Sequence, residues 1–273
     1  MKKGNVVILT LLAILAVIAA VGFAFYNKNI SSPQYPKITF AEESISVTVD
    51  ASDAELLQGV TAHDPEDGDV TASLVVEGVS NIAKGDTVKV TYAAFDSQNH
   101  VTKAERLVKF VDYKGPRFNL SAPLIFRRAN DINLLSCVGA VDPFDGDISG
   151  RIKYAIVTNG VSFADAGEYE IKLNVTNSIG DTAMLPVTVE ITTQDYNPAH
   201  ITLTDYIVYL EVDDEFNPRD YVVGYTVKDT EHEGADGLRI ENNVDTDEAG
   251  VYTVDYNYTS SPQSYTRLIV VVE

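Results

Sequence analysis

The sequence has no tryptophan, one cysteine and two methionines, and its 20 lysines and arginines are half its 40 aspartates and glutamates. Each shortage excludes something. A single Cys137 forms no internal disulfide and no Cys-pair metal site, so every domain must be held by its own core; within the apolar run 134–138, this thiol is expected to be buried and inert. Residues 1–30 hold three of the bases and no acid, which leaves 17 bases against 40 acids beyond them. No stretch offers the basic footprint that phosphate neutralisation requires, so nucleic acid is excluded as a partner. Anionic polymers and lipids are disfavoured unless divalent cations bridge the charges. Also missing are a His-x-x-x-His pair, a glycine-rich phosphate loop and a Gly-x-Ser-x-Gly elbow, while His63, His100, His200 and His232 are scattered along the chain. The chain is therefore expected to be no enzyme and to need no cofactor.

What the sequence does have begins with one long apolar run. Residues 6–26 carry no charge and are interrupted only by Thr10 and Gly22, matching the ~20 residues that cross a hydrocarbon core. The run is longer than the ~7–15 residues of a cleavable signal, and Phe23, Phe25 and Tyr26 stand where an interfacial belt would. Residues 1–29 thus read as a transmembrane signal anchor, with a cleaved signal peptide as the alternative. The N-terminus is placed in the cytoplasm, the remainder outside a single-pass membrane, and 30–36 form a stem.

Beyond the stem the chain repeats. Gly85, Gly167 and Gly250 are 82 and 83 residues apart, and each precedes a strand of strict period-2 patterning: Val88, Val90, Tyr92, Ala94; Tyr169, Ile171, Leu173, Val175; Tyr252, Val254, Tyr256, Tyr258. Alternation puts one face in a core and the other in water. A polar turn follows each strand (96–99, 177–180, 260–263), then another apolar strand (107–111, 187–191, 268–272), which makes a hairpin. No sustained helical stripe appears past residue 30; the best stretch, 51–57, offers one or two turns. Units of ~75–80 residues with about seven short strands suit two antiparallel sheets packed face to face. The expected fold is all-β, three tandem immunoglobulin-like sandwiches at 37–112, 116–193 and 198–273, plus the N-terminal transmembrane helix. The proline-ended linkers 112–116 and 195–198 suggest stiff junctions and a rod of roughly 100 Å.

Two motifs accompany the repeat. Copy one has Asp64, Pro65, Glu66, Asp67, Gly68, Asp69; copy two has Asp142, Pro143, Phe144, Asp145, Gly146, Asp147. Downstream, copy two has Asp165, Gly167 and Tyr169, and copy three has Asp247, Gly250 and Tyr252. Together they resemble the bacterial immunoglobulin-like domain family named after pesticidal crystal proteins, which recurs in tandem on surface and secreted proteins. The resemblance covers residues 36–273 and implies a β-sandwich spacer or binding module without a catalytic centre. Copy one lacks the tyrosine, and copy three keeps only the first acid, Asp229, of the acidic turn. A tyrosine opening such a strand is expected to return its hydroxyl to the preceding turn.

The acidic turns are the one place where chemistry suggests itself. Asp64, Asp67, Asp69, Asp142, Asp145 and Asp147 are candidate calcium ligands, because calcium takes six to eight hard oxygens, often from alternating residues around a glycine. The competing reading is a solvated Asp-Gly turn whose carboxylates bind local amides. Copy three is rich in tyrosine, and Tyr258 and Tyr265 are candidate contact residues at a distal tip. The chain is expected to display three domains as a surface interaction or spacer protein, binding an unidentified surface protein or glycan. The alternative is a calcium-dependent carbohydrate- or protein-binding adhesin that uses the turns of copies one and two.

Overall fold

The computed structural model describes all residues except 1, 30–33, 85, 129–131, 158–162, 164, 194–199 and 261–262, and side chains except also those of 2–12, 27–29 and 81–84. The linker at 195–198, Gly85 and the centre of the turn 260–263 thus lie outside the described residues. Lys2–Asn29 is α-helical, but the expected membrane crossing is not upheld: among the described residues no helix is long and apolar enough to cross a membrane. The transmembrane element, the membrane partner through residues 6–26 and the single-pass localisation are corrected accordingly.

Everything described after that helix is β-structure with short helical turns, in six sheets that alternate between three and four strands. The chain divides into two compact units, Met1–Ser80 with Val88–Lys109, and Asn81–Thr87 with Phe110–Glu273. In the first, Lys37–Phe40 pairs antiparallel with Val60–Asp64, which pairs with Gly68–Asp69. The opposing sheet orders Ser44–Val47, Val101–Phe110, Thr87–Phe95 and Val75–Lys84. The predicted alternation is visible as burial: Val88, Val90, Tyr92 and Ala94 are at most 1% exposed. Burying each such aliphatic contributes about 1.5–3 kcal/mol. The helical stretch foreseen near 51–57 is Asp53–Leu56, started by a capping box between Ser52 and Glu55. Arg106, 2% exposed, donates to the carbonyls of Leu56 and Gln58 at its C-terminal end and lies over the rings of Phe40 and Tyr92. The outward-pointing carbonyls of a helix end stabilise a cation there.

The second unit holds a middle and a C-terminal pair of sheets. In the middle pair, Arg117–Leu120, Val138–Asp142 and Gly146–Asp147 face a sheet ordered Lys153–Ile156, Gly167–Thr176, Thr182–Thr192 and Ile125–Arg127. The C-terminal pair sets His200–Leu203, Val222–Val227 and Thr230–Glu233 against Ile207–Leu210, Ser264–Val272, Gly250–Tyr258 and Arg239–Asn242. The sheets are not purely antiparallel as expected. Ile125–Arg127 runs parallel to Thr182–Thr192, and Ile207–Leu210 parallel to Ser264–Val272; each short strand lies more than 50 residues before its partner, so no hairpin imposes an antiparallel pairing.

The two pairs share a boundary. The inward face of Ser264–Val272 sends Leu268, Val270 and Val272 into the C-terminal core. On its other face, Ile269 joins a buried cluster made otherwise of middle-pair residues, together with Ile207. Tyr209 accepts a hydrogen bond from the Phe118 amide at 2.9 Å, and Arg117 lies over its ring at 4.7 Å. Arg117 also pairs with Glu273, and Lys114 with Glu211.

Candidate functional site

The acidic turns of copies one and two are the same device built twice. Asp64 ends strand Val60–Asp64, and its Oδ1 accepts from the amides of Glu66 and Asp67 at 2.8 and 3.0 Å. Asp142 ends strand Val138–Asp142 and does the same for Phe144 and Asp145, at 2.9 and 3.0 Å. Gly68 and Gly146 then turn the chain at φ 78° and 67°, where a Cβ would be strained. Asp69 accepts from the Thr71 amide and Asp147 from the Ser149 amide, both at 2.9 Å. Those hydrogen bonds hold the Asp69 and Asp147 carboxyls below the usual range, the side-chain hydroxyl contributing most and the amide next.

The remaining acid of each turn reaches into the neighbouring hairpin. Asp67 accepts from the Ser97 amide at 2.7 Å and its hydroxyl at 3.0 Å; Asp145 accepts from the Ser178 amide at 2.7 Å and its hydroxyl at 2.5 Å. Arg151 adds an ion pair to Asp145, whose carboxyl is held low first by the Ser178 hydroxyl, then by its amide and Arg151, against burial. So the structure brings Asp64 together with Asp67, and Asp142 with Asp145, as turn formers that tie two loops. Among the described residues, no group of three His, Cys, Asp or Glu side chains is placed to hold a metal ion.

The copies differ at one buried position. Asp142 is 4% exposed, and its Oδ2 accepts from Asn177 Nδ2 at 3.0 Å; that nitrogen also donates to the Tyr113 hydroxyl, which donates to Asp181 Oδ2. Burial, then the Asp181 hydrogen bond, pushes the Tyr113 hydroxyl far above its ordinary range. In copy one the place of Asn177 is taken by Asp96. It accepts from the amides of Gln98 and His100 and pairs with His100 Nδ1 at 2.7 Å. Burial pushes the Asp96 carboxyl up, but the His100 amide and imidazole outweigh it and hold it low. Asp64, 1% exposed, is left with an Oδ2 that has no hydrogen-bond partner.

Copy three has replaced the device. Lys228 and Asp229 both adopt positive φ, 45° and 67°, in a two-residue turn between Val222–Val227 and Thr230–Glu233. Such primed turns match the twist of a hairpin without help from flanking carboxylates.

The tyrosines are engaged. Tyr169 donates to the Asp165 carbonyl at 2.7 Å and Tyr252 to the Glu248 carbonyl at 2.9 Å, the return contact expected of both. Tyr258 packs on the C-terminal core with its ring 5.3 Å from that of Tyr225. Tyr265 donates to Glu190 of the middle pair. Both are half-buried. Cys137 is 8% exposed, and burial pushes its thiol up, away from the reactive thiolate. Sequence reasoning took 96–99 and 177–180 only as turns; the Asp96-Ser97 and Asn177-Ser178 dipeptides, each directly after its alternating strand, were the available sign of loop partners.

No protein-family model matches the sequence. The chain is 27% identical over 236 residues to the pesticidal crystal protein Cry22Aa of Bacillus thuringiensis, a stretch covering 82% of this chain. It spans 31% of that protein's length, and the match agrees at family level with the motif resemblance. Among solved structures, Clostridium perfringens ZmpB, with its CBM51-2 in complex with GlcNAc and INT domains, superposes with a TM-score of 0.23 at 14% identity, over 55% of this chain and 26% of that one. Human CDH23 EC21-23 gives 0.21 at 15% over 87% and 100%, and Drosophila N-cadherin EC1-4 gives 0.23 at 11% over 89% and 76%. Superpositions this loose carry no argument about function.

Proposed function

We propose that the chain is a non-catalytic interaction or spacer protein built from three tandem immunoglobulin-like sandwiches. The observation that carries this reading is the doubled acidic turn. In both copies the carboxylates face their own amides and hydroxyls and tie the turn to the adjacent hairpin, which makes the most chemically suggestive motif a loop fastener. Fastened loops and packed cores suit a module that holds its shape while presenting a surface. The partner class is a surface protein or a glycan. The test is capture from surface extracts and glycan arrays by the purified chain, alongside ester, glycoside and peptide substrates. Saturable binding without turnover is expected; turnover above background sinks the reading.

A calcium-dependent adhesin is the second reading. It is favoured by one observation, the buried and unpartnered Asp64 Oδ2. A calcium requirement for capture would distinguish it.

A further inference from the structure

Glu168 and Glu190 stand directly opposite each other on neighbouring strands of the middle pair, an arrangement of like charges that destabilises a sheet. Two residues on one face of the last strand answer them: Tyr265 donates to Glu190, and Arg267 reaches Glu168 at 3.3 Å. Arg267 is already held by Asp255, its cross-strand partner, through two hydrogen bonds of 2.6 and 3.0 Å. The boundary therefore gathers three carboxylates around one guanidinium, and half-buried Glu190 takes a hydrogen bond from a neutral hydroxyl while Arg267 pairs with the other two. Full ionisation leaves the contact with excess negative charge in a partly desolvated place.

We propose that Glu190 is a proton-operated clasp between the middle and C-terminal sandwiches, closing their contact in acid and loosening it as the pH rises. Among the described residues, the titratable and charged groups around it are Glu168, Glu170 and Arg127 on the flanking strands of its own sheet and Asp255, Tyr265 and Arg267 from the facing one. Burial pushes the Glu190 carboxyl above the usual range; Glu168 and Asp255 add to this, and Arg267 opposes it. A carboxyl raised in the docked state holds its proton better there than when undocked. Its contribution is full below the ordinary glutamate value of about 4.3 and is lost as the pH climbs through the docked value.

The Phe118 amide reports the contact, because its acceptor is Tyr209 across the boundary. Hydrogen exchange of the full chain, expressed as protection relative to the intrinsic rate, is expected to fall severalfold at Phe118 between pH 4 and 7, estimated as a shift of roughly one proton's linkage. Glu190→Gln keeps an acceptor for Tyr265 without the charge and is expected to hold protection high and flat. Glu168→Gln, which leaves Glu190 in place, is expected to keep the slope but weaken it. A wild-type protection that does not change with pH, or a Glu190→Gln profile that superposes on the wild type, overturns the clasp.

Discussion

Asn177 Nδ2 donates to the buried Asp142 Oδ2 across 3.0 Å, whereas the corresponding pair in the first copy, Asp96 and Asp64, leaves Asp64 Oδ2 without a donor. An unsatisfied buried acceptor costs about 1–3 kcal/mol. Asp96→Asn supplies the missing hydrogen while giving up the ion pair of Asp96 Oδ2 with His100 Nδ1, and its oxygen still suits the His100 amide, just as Asn177 Oδ1 accepts from Asp181 at 2.8 Å. The variant is expected to be more stable by about 1 kcal/mol, read as a higher midpoint in denaturant melts. Asn177→Asp should lose a comparable amount. If Asp96→Asn melts no later than the wild type, Asp64 has a partner of another kind.

The same turns set an expectation for calcium. Carboxylates that already hold their own amides gain little from a metal, so millimolar calcium is expected to leave the melting temperature unchanged. A ligand that binds only the native state must raise stability as its concentration passes its dissociation constant. A saturable rise would therefore establish the calcium reading.

Tyr209 tests the boundary between the middle and C-terminal sandwiches. Tyr209→Phe keeps the ring under Arg117 but removes the acceptor of the Phe118 amide. A loss of about 0.5–1.5 kcal/mol is expected in calorimetry or chemical melts. No loss at all would mean that water replaces the hydroxyl freely.

Two glycines separate crowding from backbone strain. A Cβ at Gly224 would sit 2.4 Å from the His232 carbonyl oxygen, on the strand it pairs with. Gly224→Ala must push Thr230–Glu233 away and is expected to cost about 1–3 kcal/mol. At Gly146 a Cβ would meet nothing within 4 Å, but φ is 67°. Gly146→Ala should therefore cost only about 1–2 kcal/mol, from conformation alone. Equal losses would contradict that separation.

The strands of the sandwiches were legible because alternation is a direct imprint of one buried face, as at Val88 to Ala94 and Tyr169 to Val175. The Asp-Gly turns were legible from their backbone needs. The partners of Asp67 and Asp145 were not, since a serine 30 or more residues away leaves no periodic trace. The parallel edge strands escaped for a similar reason: three or four residues are too few to show direction. The apolar run at 6–26 predicted helix correctly, yet periodicity and hydropathy do not by themselves establish a crossing. The docking of the C-terminal sheet did leave a sign. Residues 268–272 are apolar without alternation, which is the pattern of a strand covered on both sides, and Ile207–Leu210 reads the same way.

That doubly covered strand has a consequence for how the chain is made. Ser264–Val272 follows the whole of the middle pair in synthesis, yet its Ile269 completes the middle pair's buried cluster. At ~5–20 residues per second, the ribosome takes several seconds or more to deliver it. For that interval the nascent middle sandwich shows water an apolar flank that the finished protein conceals, and a chaperone or a neighbouring nascent chain would meet that flank first.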